Sequence, residues 1–261
     1  MKNLVVCGDS FSIGIGCHDL QNEPYGSLLA KKLGLNLINL AKGSSTNLSI
    51  SLQVKHAVDH IPDIDLLIVA PTCNHRIEWF PENAKLDRSA DNLNVNYHEY
   101  PPYGEGTYPY LLEHPMKNDS RYTGEMLTEN WHGVIDYVDN FLDKNIGSST
   151  YFKKFKKERP ERMRLLKQFY LEFFDSRIQR QFDMGVIVKS HILLKNRNIK
   201  HLVFVDDREY ELYISEENRA DVSWGELSKK YPDDLKTLHT SWEGQREVYE
   251  TVINKLNQWK K

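Results

Sequence analysis

Leu4-Val5-Val6-Cys7-Gly8-Asp9-Ser10-Phe11-Ser12 is the stretch on which the reading of this chain turns. Its apolar run stops at Gly8, and small and polar residues follow at once. That pattern predicts a buried strand entering a tight turn. A helix beginning near Ser12 places Ser10 among backbone N–H groups that have no intrahelical acceptor. A serine oxygen there has donors beside it that suit an oxyanion, and it equally suits a helix cap.

Working outward, Tyr25, Leu28, Leu29 and Leu33 recur at helical spacing, with Gly34 as the stop. Leu35 to Leu40 reads as a second strand, which makes the first forty residues a βαβ unit with parallel strands. Asn47 to His60 predicts a helix closed by Pro62. Asp65-Leu66-Leu67-Ile68-Val69-Ala70 has no polar alternation, as in a central parallel strand covered on both faces. His201 to Val205 reads as another strand, ending at Asp206 and Asp207. Asp221 to Tyr231 reads as a connection with a short helix. Ser241 to Trp259 carries Trp242, Val248, Tyr249, Val252, Ile253 and Leu256 as the stripe of a last helix. Leu165 to Asn196 reads as helical, either one long helix or two broken near Gly185.

The pattern breaks down between Trp79 and about Thr128, where Pro81, Pro101, Pro102, Pro109 and Pro115 alternate with Tyr97, Tyr100, Tyr103, Tyr108 and Tyr110. A long irregular stretch of this kind is either a functional loop or an aromatic surface insertion packed on itself. Trp131 to Leu142 looks helical beyond it, and Lys153 to Arg164 is a basic run best read as a solvated helix face. The expected architecture is one α/β domain over residues 1–261. It is a three-layer sandwich with a mainly parallel central sheet flanked by helices, flavodoxin-like. An irregular and helical insertion at about 79–185 follows the third strand.

Bulk properties narrow the function. The 261 residues carry a formal net charge of -3, with 40% hydrophobic and 27% charged residues. That fits a globular enzyme-sized domain and gives no general attraction to nucleic acid. No apolar run approaches the roughly 18 residues of a membrane span, and the first strand is too short for a signal-peptide core. Cys7, Cys17 and Cys73 have neither metal-ligand spacing nor even pairing, so a reducing, cytoplasmic setting with no metal and no cofactor is expected. Gly14-Ile15-Gly16 opens like a dinucleotide fingerprint, but the third glycine is missing and Asp9-Ser10 fill the turn. His18 reads as a surface histidine.

A Gly8-Asp9-Ser10 after the first strand, with His239 just ahead of the last helix, resembles the SGNH (GDSL) hydrolase family. Gly43, after the second strand, and Asn74, after the third, resemble that family's second and third blocks and stand in its order. The resemblance implies a Ser10 nucleophile, a His239 base and an oxyanion hole built by Ser10, Gly43 and Asn74. Two positions depart from the pattern. Thr72 stands where the family has glycine, and Lys236 stands where it has the acid, three residues before His239. Asp233 and Asp234 are the nearest upstream carboxylates and the candidates for a displaced acid. Arg76 is a candidate for binding a carboxylate or phosphate on a substrate. The expectation is an esterase acting on a small-molecule or carbohydrate ester. The same pattern also fits an inactive binding or structural module of that fold, and an acyltransferase.

Overall fold

The computed structural model describes residues 2–41, 45–72, 176–205, 210, 212–234 and 239–259. Five strands form one sheet: β1 Asn3–Cys7, β2 Asn36–Asn39, β3 Ile64–Val69, β4 His201–Val205 and β5 Arg219–Asp221. Their order is β2-β1-β3-β4-β5, and every pairing is parallel. Among the described residues six α-helices accompany them: α1 Ser10–Ile13, α2 Tyr25–Leu33, α3 Asn47–His60, α4 Ser176–Asn196, α5 Trp224–Lys230 and α6 Trp242–Gln258.

Side chains of a strand alternate between its two faces, and here both faces are buried. Leu4, Val6, Leu66, Ile68, Leu202 and Phe204 pack with Tyr25 and Leu29 of α2, Trp224 and Leu227 of α5, and Val248 and Val252 of α6. Val5, Cys7, Leu67, Val69, Val203 and Val205 pack on the opposite face with Ile50, Val54 and Ala57 of α3 and Ile187 and Leu194 of α4. The molecule is therefore a three-layer α/β fold with helices on both faces. The unbroken apolar runs of β1, β3 and β4 follow from this double burial.

Local chemistry sets the ends of the elements. Thr46 accepts the Ser49 N–H at 3.1 Å and starts α3. Gly34 takes a left-handed φ of 66° and closes α2 with its N–H on the Ala30 carbonyl. Of the two helical readings, the structure has the single one: α4 runs through Gly185 without a break, and a Cβ there would meet nothing within 4 Å. The edge of the sheet needs correction. A fifth strand, Arg219–Asp221, precedes the short helix expected in that region. Residues 176–185, placed by the sequence in the insertion, belong to α4. The remainder of the insertion lies outside the described residues. No helix among the described residues is long and apolar enough to cross a membrane.

Strand order decides where a site forms. The chain leaves β1 through α2 on one face to reach β2, then crosses by α3 on the other face to β3. In open parallel sheets, the crevice beyond the carboxyl ends of two such strands is the usual ligand position. Ser10 follows β1 and Thr72 follows β3.

Candidate active site

The turn after β1 is tightly built. A Cβ on Gly8 would lie 2.3 Å from Ser12 Oγ and 3.2 Å from Ala70 Cβ, so the backbone approaches its neighbours as only glycine allows. Asp9, fully buried, is the N-cap of α1 and accepts the Phe11 N–H at 3.0 Å. The cap is thus Asp9, not Ser10, and the helix starts at Ser10 itself. The second Asp9 oxygen accepts the Thr72 hydroxyl at 2.7 Å, which ties the end of β1 to the end of β3.

Ser10 is fully buried, and its Oγ lies 2.7 Å from Nε2 of His239, which is itself 4% exposed. His239 comes from the connection between α5 and α6. The described ends of that connection are bonded to each other. Ser241 N–H donates to the Tyr231 carbonyl at 2.8 Å, and Asp233 N–H to the His239 carbonyl at 3.2 Å. Thr240 Oγ1 donates to the Tyr231 carbonyl at 3.1 Å. Asp233 Oδ2 accepts the His239 backbone N–H at 2.8 Å. The His239 ring packs on Phe11 at 4.6 Å between centroids, and Phe11 stacks on Trp224 at 5.1 Å. Gly16 supports the loop from below. Its φ is +108°, and a Cβ there would fall 2.5 Å from the Thr240 carbonyl oxygen.

Of the candidate residues, Ser10 and His239 are brought together by the structure. Asp233 adjoins His239 through its backbone. Asp234 lies on the surface, 3.1 Å from Nε2 of His18, and both side chains are exposed. Gly43, Asn74, Arg76 and Lys236 lie outside the described residues, as do Cys73, Asp206 and Asp207. Cys7 and Cys17 are free and buried. Burial pushes the Cys17 thiol up to about 12 and the Cys7 thiol higher still, so neither is a thiolate nucleophile at neutral pH. Among the described residues no group of three His, Cys, Asp or Glu side chains is placed to hold a metal ion.

Sequence reasoning passed over the polar residues that build this edge of the sheet. Gln53, 1% exposed, accepts the Gly8 N–H at 2.7 Å and donates to the Gly8 carbonyl at 3.1 Å. Asn47 makes the same two-way bond to Thr72, donating to its carbonyl at 2.9 Å and accepting its N–H at 2.8 Å. The one signal was a glutamine between Leu52 and Val54 in an apolar stretch of helix.

No family model, no curated protein and no solved structure matches the chain. The functional reading rests on the geometry and on the motif order.

Proposed function

We propose that this protein is an SGNH-type serine hydrolase that cleaves an acyl ester. The observation that carries the reading is the 2.7 Å contact between Ser10 Oγ and His239 Nε2, at the β1/β3 crevice of a parallel sheet. Nε2 takes the serine proton as Oγ attacks the ester carbonyl carbon, which requires the ring hydrogen to sit on Nδ1. The tetrahedral oxyanion is assigned to the Ser10 N–H, Gly43 and Asn74 by the family resemblance. As the C–O bond to the alcohol breaks, His239 returns the proton to the leaving oxygen. Water then repeats the sequence on the acyl-serine, releasing the acid and restoring Ser10.

The substrate class is a small-molecule or carbohydrate ester, with Arg76 proposed to meet an anionic group on it. No metal or cofactor takes part in this scheme. The free Cys7 and Cys17 thiols fit a reducing, cytoplasmic setting.

The test is hydrolysis of short p-nitrophenyl esters and labelling by a fluorophosphonate. Wild-type chain is expected to turn over and to be labelled. Ser10→Ala and His239→Ala, folded by circular dichroism, are expected to lose at least about a thousandfold in kcat. A wild-type chain inert to a range of esters and to the probe overturns the hydrolase reading and leaves a binding module of this fold.

A further inference from the structure

Four amide side chains at the carboxyl edge of the sheet behave alike: each donates to one backbone carbonyl and accepts one backbone N–H. Asn39 joins the Ser12 carbonyl to the Ala41 N–H, at 2.9 and 3.0 Å. Gln245 joins the Phe11 carbonyl to the Tyr25 N–H, at 2.9 and 3.1 Å. Asn47 holds both groups of Thr72, and Gln53 holds both groups of Gly8. An amide bonded in this way replaces the peptide of a neighbouring strand where the sheet has run out.

Asn47 and Gln53 belong to one helix, α3. Gln53 grips the turn two residues before Ser10, and Asn47 grips the first loop residues after β3. Gln53 Nε2 also lies 3.2 Å from Ser45 Oγ, in the segment after β2. One rigid helix thus touches the ends of all three strands whose loops the proposed mechanism uses.

We infer that Gln53 and Asn47 are positioning residues of the candidate site, fixing the Ser10 turn and the β3 loop in one frame through paired amide–backbone bonds. The inference rests on the hydrolase reading for its catalytic consequence, but the placement of Ser10 against His239 is measurable without turnover. The Gly8 backbone runs so close to Ser12 and Ala70 that a Cβ there would lie 2.3 Å from Ser12 Oγ. Loss of its two amide bonds is expected to let the turn shift, carrying Asp9 and Ser10 with it.

The experiment uses the full chain with Gln53→Leu and Gln53→Glu. The second keeps an acceptor for the Gly8 N–H and serves if the first does not fold. Melting temperature, kcat and KM on a p-nitrophenyl ester, and the ring resonances of histidine-labelled protein are recorded well below each melting temperature. A misplaced reacting group typically costs about 100-fold. That fall is expected in kcat for Gln53→Leu, with KM little changed and with the His239 ring resonances displaced while those of His201 stay. Folded variants with wild-type kcat and wild-type His239 resonances overturn the inference. If wild type itself neither turns over nor reacts with a fluorophosphonate, the hydrolase reading falls alone. The resonances then decide: displacement of His239 sustains the positioning role, and its absence overturns it.

Discussion

His239 Nε2 lies 2.7 Å from Ser10 Oγ, although 229 positions separate the two residues in the chain. The contact is made by two short, over-determined turns. One is fixed by Gly8, Asp9 and Gln53, and the other by the bonds that close Tyr231 to Ser241. Perturbing either turn is expected to move one partner relative to the other.

Gly16→Ala tests the second turn. Its φ of +108° is strained for any residue with a Cβ, and that Cβ would meet the Thr240 carbonyl oxygen at 2.5 Å. Left-handed backbone alone costs an L-residue about 1–2 kcal/mol. The clash adds to it, and relief requires the His239 loop to lift. Melting temperature and kcat are both expected to fall, and the fall in kcat should persist far below the melting point. Unchanged values of both would mean that the loop is looser than its contacts imply.

Asp233 offers a sharper test, because its two proposed roles separate by substitution. Its Oδ2 accepts the backbone N–H of His239. Asp233→Asn retains an oxygen acceptor at that place and is expected to lose at most about tenfold in kcat, since only the difference of about 1 kcal/mol between a charge-assisted and a neutral hydrogen bond is removed. Neutralising a carboxylate that orients the imidazole of a triad costs about 10⁴-fold instead. Asp233→Ala, which removes the acceptor, should be worse than Asn. Asp234→Ala breaks only an exposed contact with His18, and kcat is expected to hold. Steady-state kinetics on the three variants reads out all of this. A 10⁴-fold loss in Asp233→Asn would assign the acid to Asp233.

Stability against pH follows from four buried groups, three histidines and one aspartate. His201 Nδ1 is 2.7 Å from the Ile199 carbonyl, which only accepts, so Nδ1 carries the hydrogen. His201 Nε2 therefore accepts from His191 Nδ1 at 2.8 Å, and a further proton on Nε2 destroys that bond. Burial pushes His201 down to about 4 from an ordinary 6.5, and His56 likewise to about 4, with His60 beside it adding to the effect. His191 is lowered too, mainly by burial. A depressed folded-state pKa means that the stabilisation is present above pH 6.5 and is lost as pH falls toward 4. For one group shifted this far the loss is about 3 kcal/mol. Asp183 runs the other way. Burial raises it to about 6, so its contribution is full below 3.8 and is lost as pH rises through 6. Three lowered histidines against one raised aspartate leave a net loss on acidification between pH 6.5 and 4. Urea midpoints should drop from pH 7 to pH 4.5. Asp183→Asn should steepen that drop, and His201→Gln should flatten it. A midpoint that rises with acid would contradict the balance.

The parts legible in the sequence are those where one physical signal dominates. β4 and α3 have the bounds expected of them, His201–Val205 and Asn47–His60, because double burial of a strand and an apolar helix face closed by Pro62 leave clear marks. β5 left none. Arg219-Ala220-Asp221 is three residues long at the sheet edge, with one buried side chain, and its pairing with β4 is a tertiary event. Gly185 left one helix and two equally open in the sequence, and the packing of the helix on α3 and the sheet, which outweighs one weak helix former, settles on one. Ser10 and His239 were found through motif order. Gln53, Asn47 and Thr72 were not, since a polar side chain that grips a distant backbone looks the same in sequence as one facing water.

Thr72 is the instructive departure from the SGNH pattern that the chain's motif order resembles. The family's glycine has no side chain to offer, whereas the Thr72 hydroxyl donates to Asp9 Oδ2 at 2.7 Å. Asp9 caps α1 through its other oxygen, so the two carboxylate oxygens join the Ser10 turn to the β3 loop. Thr72→Val keeps the shape and removes the donor. A hydrogen bond to a buried charged group contributes about 2 kcal/mol, and that loss is expected in urea unfolding. Thr72→Ser keeps a hydroxyl and should recover most of it. Thr72→Gly, the residue of the SGNH pattern that the motif order resembles, should behave like Val in stability and add backbone freedom at position 72. Because Asp9 immediately precedes Ser10, kcat should follow the same order as stability at temperatures where all variants are folded, with KM nearly constant. Equal stability of the Val and Ser variants would show that the Asp9 carboxylate does not depend on this hydroxyl. The Thr72 departure would then be neutral for the nucleophile.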